Sequence, residues 1–133
     1  MERTSSAPVQ RDVQLPATAA AAGLARRELT AIPGVAGELG YKVLLLASEI
    51  VSSVVQDAEP EPQRTLWLSV RAEARVVRVE VGGRDPSVPV RRSLTSEETP
   101  SLGGYGLRIV ERMADRWGTA GDDGTTIWFE LDR

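Results

Sequence analysis

The chain lacks cysteine and histidine altogether. Without cysteine it forms no disulfide, no thiolate zinc site and no cysteine nucleophile, and without histidine it has no imidazole for acid–base catalysis. Any catalysis must therefore come from carboxylates, hydroxyls, Lys or Arg side chains, backbone dipoles, or a metal ion held by oxygen ligands. Aromatic residues are scarce, at 5%, so the core has to be built from Val, Leu, Ile and Ala.

A long apolar run and an excess of positive charge are absent as well. The most apolar stretch, Val43 to Ala47, is far shorter than the roughly 20 residues that a membrane helix needs. The alanine run Ala19–Ala22 lacks the flanks of a signal peptide. With 16 basic and 19 acidic residues, the net charge of −3 argues against a nucleic-acid binder that works through charge. These absences predict a cytoplasmic protein that contacts neither membrane nor nucleic acid.

Helical periodicity is clearest over about Gly37 to Ala58. Apolar residues recur there at three and four residues and form one stripe, namely Val43, Leu46, Ile50, Val54 and Ala58. A shorter helix is predicted over Ala19–Leu29, with Thr18 as its cap and an end near Pro33-Gly34. The polar residues 1–11 are predicted to be a disordered leader, and Val13–Pro16 an edge strand.

Alternating apolar residues predict the remaining strands. The alternation occurs in three segments: Leu66, Leu68 and Val70; Val77, Val79 and Val81; and Ile127, Phe129 and Leu131. A further strand is predicted to begin at Trp117. The chain of 133 residues is expected to form one domain over residues 12–133. The predicted fold is an α+β two-layer sandwich, with a mixed, mostly antiparallel sheet and helices on one face.

A glycine-rich turn, Gly103-Gly104-Tyr105-Gly106, precedes an apolar-periodic segment that ends near Ala114. Glycines let a backbone approach a ligand closely, and a helix start offers free N–H groups to phosphates. A plain helix start with no ligand explains this pattern equally well. Residues 86–103, with three prolines, form a long segment of the kind that serves as a lid over a site.

Polar residues in three other segments are candidates for site chemistry. Glu49, Ser53 and Asp57 share one face of the long helix, which either borders a cleft or is simply solvated. Asp85 is in phase with the core-facing valines of its strand, where a carboxylate needs a partner, although Asp85-Pro86-Ser87 is also an ordinary turn. Thr at the start of the last strand contacts a ligand or only reflects β propensity.

Taken in order, these segments resemble the GHKL (Bergerat-type) ATP-binding fold, and within it the bacterial anti-sigma-factor serine kinases. The helix motif of that family is matched by residues 48–54, Ser-Glu-Ile-Val-Ser-Ser-Val. Its Asp-x-Gly or, in actinobacterial members, Asp-x-Ser motif is matched by Asp85-Pro86-Ser87. Its Gly-x-Gly-Leu and Gly-Thr motifs are matched by residues 104–107 and 124–126. The resemblance spans about Val13 to Leu131.

The resemblance implies a bound ATP or ADP. Asp85 would accept a hydrogen bond from the adenine amino group, and the glycines with the helix start at Leu107 would hold the phosphates. Either of two threonines would assist at the adenine. The residues assigned to the nucleotide in this way are Asp85, Ser87, Gly104, Gly106, Leu107, Thr125 and Thr126.

The resemblance also assigns catalysis and a metal ion to the long helix. Glu49 matches the general base that activates an attacking serine hydroxyl or water. The magnesium-ligating Asn of the family is replaced by Ser53, whose hydroxyl is shorter and a poorer ligand, so Mg²⁺ is doubtful. Asp57 stands where actinobacterial members usually have His. Either Ser53 holds the metal through a water molecule, or Asp57 reaches in to replace the amide, or the site is degenerate.

Three functions therefore stay open. The first is a regulatory kinase that binds a sigma factor and phosphorylates a serine on an antagonist (anti-anti-sigma) protein. The second is a kinase-like module that sequesters such a partner without phosphoryl transfer, and the third is a structural domain with no ligand. By the same resemblance the chain is expected to form a homodimer through the edge near Val13–Leu15.

Overall fold

The computed structural model describes residues 9–57, 65–83, 102–120 and 126–133. Within these ranges the chain forms five strands and three helices. In chain order they are β1 (Val9–Pro16), α1 (Ala21–Thr30), α2 (Gly37–Asp57), β2 (Thr65–Ala72), β3 (Val76–Gly83), α3 (Leu102–Met113), β4 (Arg116–Ala120) and β5 (Thr126–Asp132).

The strands form one sheet in the order β1-β2-β3-β5-β4, and each neighbouring pair is antiparallel. The predicted edge strand is confirmed, since β1 pairs only with β2 among the described strands. It begins at Val9, however, so the predicted leader is too long by three residues. Gln10 and Arg11 are polar, but an edge strand paired through its backbone tolerates polar side chains.

The core lies between one face of the sheet and the helices. The alternation in β2, β3 and β5 turns every second residue toward the helices, and the predicted inward residues are all buried. The fold class is thus the predicted α+β arrangement. The largest fully buried side chains of this layer are Phe129, Leu15, Leu29, Leu46, Leu66, Leu68, Ile127 and Leu131.

The first two helices lie close to their predicted ranges. The long helix is confirmed, since α2 runs from Gly37 to Asp57 and residue 58 is outside the described ranges. The first helix begins at Ala21, two residues later than predicted. Its N-cap is Ala20, which makes no side-chain capping bond. Thr18 instead accepts a hydrogen bond from the Ala20 N–H and closes the turn before the helix. The predicted cap was therefore wrong, and the helix end is Thr30.

The helix after the glycines begins earlier than predicted. It starts at Leu102, so Gly104 and Gly106 lie inside its first two turns rather than ahead of it. Glycine lowers helix propensity by about 1 kcal/mol but does not prohibit the conformation. The helix is held by its apolar stripe, which includes the fully buried Val110 and packs against α2.

The sheet face opposite the helices carries a network of ion pairs across β3, β5 and β4. Glu130 of β5 accepts hydrogen bonds from Arg116 at 2.6 Å and from Arg78 at 3.1 Å. Arg116 also pairs with Asp132, and Arg78 with Glu80 at 2.8 Å. Arg78 lies over the Trp128 ring, 4.2 Å from its centroid. The hydrogen bonds from Arg116 and then Arg78 hold the pKa of Glu130 below its usual range, against the opposing effect of burial.

This network makes stability depend on acid pH. Because the pKa of Glu130 is lower in the folded protein than in the unfolded chain, its contribution is complete above the unfolded value, about 4.3, and is lost as pH falls through the folded value. We expect Glu130→Gln to lower stability by roughly 1 kcal/mol at pH 7 and to flatten the decline in melting temperature below about pH 5. Thermal unfolding over a pH series measures both. Glu111→Gln, on an exposed position of α3, controls for net charge. An unchanged slope in Glu130→Gln would contradict this interpretation.

No helix in the described part of the chain is long and apolar enough to cross a membrane.

Candidate functional site

The central part of α2 presents the candidate base. Apolar residues on one stripe of α2 are buried against the sheet and the other helices, and this fixes the rotation of the helix about its axis. Glu49 lies beside that stripe and is half-buried. Its carboxylate forms no hydrogen bond or ion pair with another described residue. A half-buried carboxylate in this condition is available to accept a proton or a hydrogen bond from a ligand.

Ser53 lies one turn after Glu49 and is almost completely buried, with 3% of its surface exposed. Its hydroxyl donates to the Glu49 carbonyl oxygen at 2.9 Å, four residues back along the helix. The bond is to the backbone of Glu49 and not to its carboxylate, so the prediction that the two side chains share one side of the helix rests on their four-residue spacing. The solvated-face alternative does not describe Ser53, because this position is shielded from water.

A second serine in the same motif was overlooked by the sequence interpretation. Ser48 is 8% exposed and donates to the Leu45 carbonyl oxygen at 3.1 Å. Both serines therefore place their protons on the carbonyl oxygens of their own helix. In this way the segment 48–54 keeps two polar side chains in a buried part of the helix. In the sequence, the sign of such buried serines was their position among the apolar residues of the stripe.

The described residues do not assemble a metal site. They contain no group of three acidic, His or Cys side chains close enough to share a cation. Ser53 directs its hydroxyl proton to the backbone of α2. Asp57, the other predicted ligand, is the last residue of α2. Metal binding by Ser53 and Asp57 therefore stays a prediction.

The register of β3 and β5 bears on the choice between the two threonines. Thr126 is the first residue of β5 and pairs with Gly82. Ile127 and Phe129 point into the core, so Thr126 belongs to the face opposite the helices. The alternation thus counts against Thr126 for a contact on the helix side. Thr125 lies outside the described residues, as do Asp85 and Ser87.

The glycine segment has a different backbone from the one expected. In a helix that starts at Leu102, the N–H groups of residues 102–104 have no carbonyl partner within the helix, so Gly104 is among them. Gly106 and Leu107 lie in the second turn, where N–H groups bond to carbonyls four residues back. The predicted helix start at Leu107 is therefore wrong, and phosphate binding by this segment stays a prediction.

The described elements form an α+β sandwich whose antiparallel sheet is covered on one face by helices, and α2 carries Glu49, which has no hydrogen bond or ion pair with another described residue. The chain belongs to the family described as the histidine kinase-like ATPase domain, whose model matches residues 15–131. No curated protein matches the chain. Membership in this family confirms the GHKL-type fold and supports binding of ATP or ADP.

Proposed function

We propose that this protein is an anti-sigma-factor-like regulatory protein that binds ATP and phosphorylates a serine on an antagonist partner. The family match over residues 15–131 supports the nucleotide. The observation that carries the catalytic part is the half-buried Glu49 carboxylate, which has no hydrogen bond or ion pair to the described residues around it. We place the protein in the cytoplasm, with a sigma factor or an antagonist protein as its partner and a second copy of the chain as a further one.

In the proposed reaction Glu49 acts as general base. It accepts the proton of the attacking hydroxyl while the hydroxyl oxygen forms a bond to the γ-phosphorus and the bond to the β-phosphate oxygen breaks. ADP is the leaving group, and the proton stays on the Glu49 carboxylate until solvent removes it. Water takes the place of the serine hydroxyl when no partner is present, which makes slow ATP hydrolysis a measurable form of the same chemistry.

A second candidate function is a kinase-like module that sequesters its partner without phosphoryl transfer. Ser53 favours it, because the hydroxyl at this position is buried and donates to the Glu49 carbonyl. A serine held in this way is a weak substitute for an amide ligand. The two candidates differ in whether Mg²⁺ strengthens the binding of ATP.

Calorimetric titration with ATP and with ADP, each with and without Mg²⁺, separates them. Binding of ATP that strengthens with Mg²⁺ supports the kinase, and binding indifferent to Mg²⁺ supports the sequestering module. Absence of nucleotide binding would overturn the nucleotide part of both proposals.

The position of the missing amide gives a sharper test. We expect Ser53→Asn to strengthen ATP binding about tenfold in the presence of Mg²⁺ and to have little effect in its absence, because an amide oxygen reaches further and coordinates a hard cation better than a hydroxyl. Ser53→Ala is the matched control, since it removes the bond to Glu49 without adding a ligand. Titration of both variants measures the difference. Equal affinities of the two variants for ATP in the presence of Mg²⁺ would show that the serine at position 53 does not limit magnesium-dependent binding.

A further inference from the structure

Two large apolar side chains lie on the solvent side of α2, one and two turns before Glu49. Tyr41 is 63% exposed and is the one large apolar residue exposed to this degree in the described part of the chain. Leu45 is half-buried and stays outside the core formed by the described residues, whereas its half-buried neighbours Leu39 and Leu44 pack against that core. Apolar surface is therefore left open to water at this part of the helix.

These two residues belong to a row that also contains the candidate base. Tyr41, Leu45 and Glu49 follow one another at intervals of four residues, so they lie on one side of the helix. Ser52, which is half-buried, lies on the same side one turn beyond Glu49. The other sides of α2 pack against α1, α3 and the sheet. We call these four residues the outer row of α2; it is apolar at its N-terminal end and polar at its C-terminal end.

The position of Glu49 in the outer row decides which molecule passes over it. A general base has to lie within about 3 Å of the hydroxyl from which it takes the proton. A polypeptide that presents a serine to Glu49 from solvent therefore lies against the neighbouring turns of the same helix, where Leu45 and Tyr41 are. An attacking water molecule has no chain attached and does not reach these residues. The apolar end of the row is thus suited to a protein substrate.

Helix geometry gives the spacing that such a substrate needs. The rise of about 1.5 Å per residue places Leu45 about 6 Å and Tyr41 about 12 Å from Glu49 along the helix axis. An extended polypeptide advances about 3.3 Å per residue, so these lengths correspond to about two and about four residues. An apolar side chain at this distance from the serine would cover the exposed surface of Leu45 and Tyr41.

We propose that Tyr41 and Leu45 dock the partner segment that carries the phosphorylated serine, and that this segment has an apolar side chain two to four residues from the serine. The inference rests on the proposed function, in which Glu49 is the general base. The serine oxygen takes the γ-phosphoryl group of ATP, its proton passes to Glu49, and ADP leaves. Tyr41 and Leu45 take no part in that step. They hold the segment in place and so determine which serine is phosphorylated.

Synthetic peptides with one serine and one leucine among glycine and glutamine residues are the probe. The leucine is moved stepwise from six residues before the serine to six residues after it, and transfer of phosphate from radiolabelled ATP is measured for each peptide. We expect transfer to be about fivefold faster with the leucine two to four residues from the serine, on one side of it, than with the leucine six residues away. Equal transfer to all peptides would overturn this inference.

Leu45→Ala and Tyr41→Ala test the outer row itself, and Leu39→Ala is the matched control. Leu39 lies on the same helix and is half-buried, but it packs against the core. We expect the first two variants to reduce the advantage of the best peptide to less than about twofold and Leu39→Ala to keep it. The ratio between peptides is informative even if a variant is partly unfolded, because unfolding lowers transfer to all peptides equally.

Hydrolysis of ATP by water separates failure of this inference from failure of the proposed function. Hydrolysis in folded Leu45→Ala and Tyr41→Ala should stay within about twofold of wild type, because water does not contact the outer row beyond Glu49. An unchanged advantage of the best peptide in these two variants would overturn the inference, as would wild-type protein that hydrolyses ATP without transfer to any peptide. Wild-type protein that shows neither hydrolysis nor transfer would overturn the proposed kinase, and this inference with it.

Discussion

Replacing Glu49 with Gln is expected to lower the rate of ATP hydrolysis by about 10²- to 10⁴-fold, which is the usual contribution of a positioned general base. The amide has nearly the same shape as the carboxylate but cannot accept the proton of the attacking water. Affinity for ATP should change by no more than about twofold, because the proposed role of Glu49 is at the attacking group and not at the nucleotide. Release of ADP by the purified protein and calorimetric titration with ATP measure the two quantities.

Glu38→Gln is the matched control for this experiment. Glu38 lies on the same helix, in its first turn, and is exposed. The substitution removes the same charge from α2 and should leave the hydrolysis rate at the wild-type value. If Glu49→Gln lost ATP binding together with hydrolysis, the carboxylate would hold the nucleotide or the fold. If the wild-type protein hydrolysed no ATP at all, the sequestering module would become the better account.

Replacing Phe129 with Ala is expected to have the largest effect on folding, a loss of about 3–5 kcal/mol. Phe129 is the chain's one phenylalanine and is fully buried at the centre of β5, where its cross-strand partners are Val79 on β3 and Trp117 on β4. A cavity there removes contacts to both neighbouring strands. The total free energy of unfolding of domains of this size is about 5–15 kcal/mol, so the variant should be close to unfolding in water. Urea denaturation followed by tryptophan fluorescence measures the change.

Phe129→Leu separates the cavity from the loss of an aromatic ring. Leucine keeps most of the apolar volume, and we expect this substitution to lower the free energy of unfolding by less than about 1.5 kcal/mol. A midpoint for Phe129→Ala close to that of wild type would mean that β5 is not the centre of the cooperative core. A large loss in Phe129→Leu as well would indicate that the shape of the ring, and not its volume, sets the packing.

Most of the fold follows from periodicity in the sequence. The stripe of α2 and the alternation in β2, β3 and β5 are strong because one face of each element is buried, so the apolar spacing reports the geometry directly. The errors occur where local chemistry and tertiary packing disagree. Thr18 has the preferred chemistry of a cap, yet the helix begins after Ala20. The glycines before Leu107 indicate a turn, yet the helix already begins at Leu102, and its apolar stripe packs against α2.

Periodicity in the sequence predicts the side-chain contacts of the candidate site less well than it predicts the fold. The spacing of Glu49 and Ser53 predicted that they are neighbours, because residues four apart lie next to each other on a helix. It could not reveal that Ser53 donates to a backbone carbonyl, since that depends on burial and rotamer.

The strand order has a consequence for how the protein is made. β5 is the last of the described strands, yet it lies between β3 and β4 and supplies the one described neighbour of β4. During synthesis β1 emerges first, β2 and β3 follow after α1 and α2 with a short connection between them, and β4 emerges before its partner β5. The exposed edge of β3 and the apolar side of α2 must then wait for the final residues of β5. The described sheet is therefore complete only once β5 has been made, and truncation within β5 should leave both β3 and β4 without this neighbour.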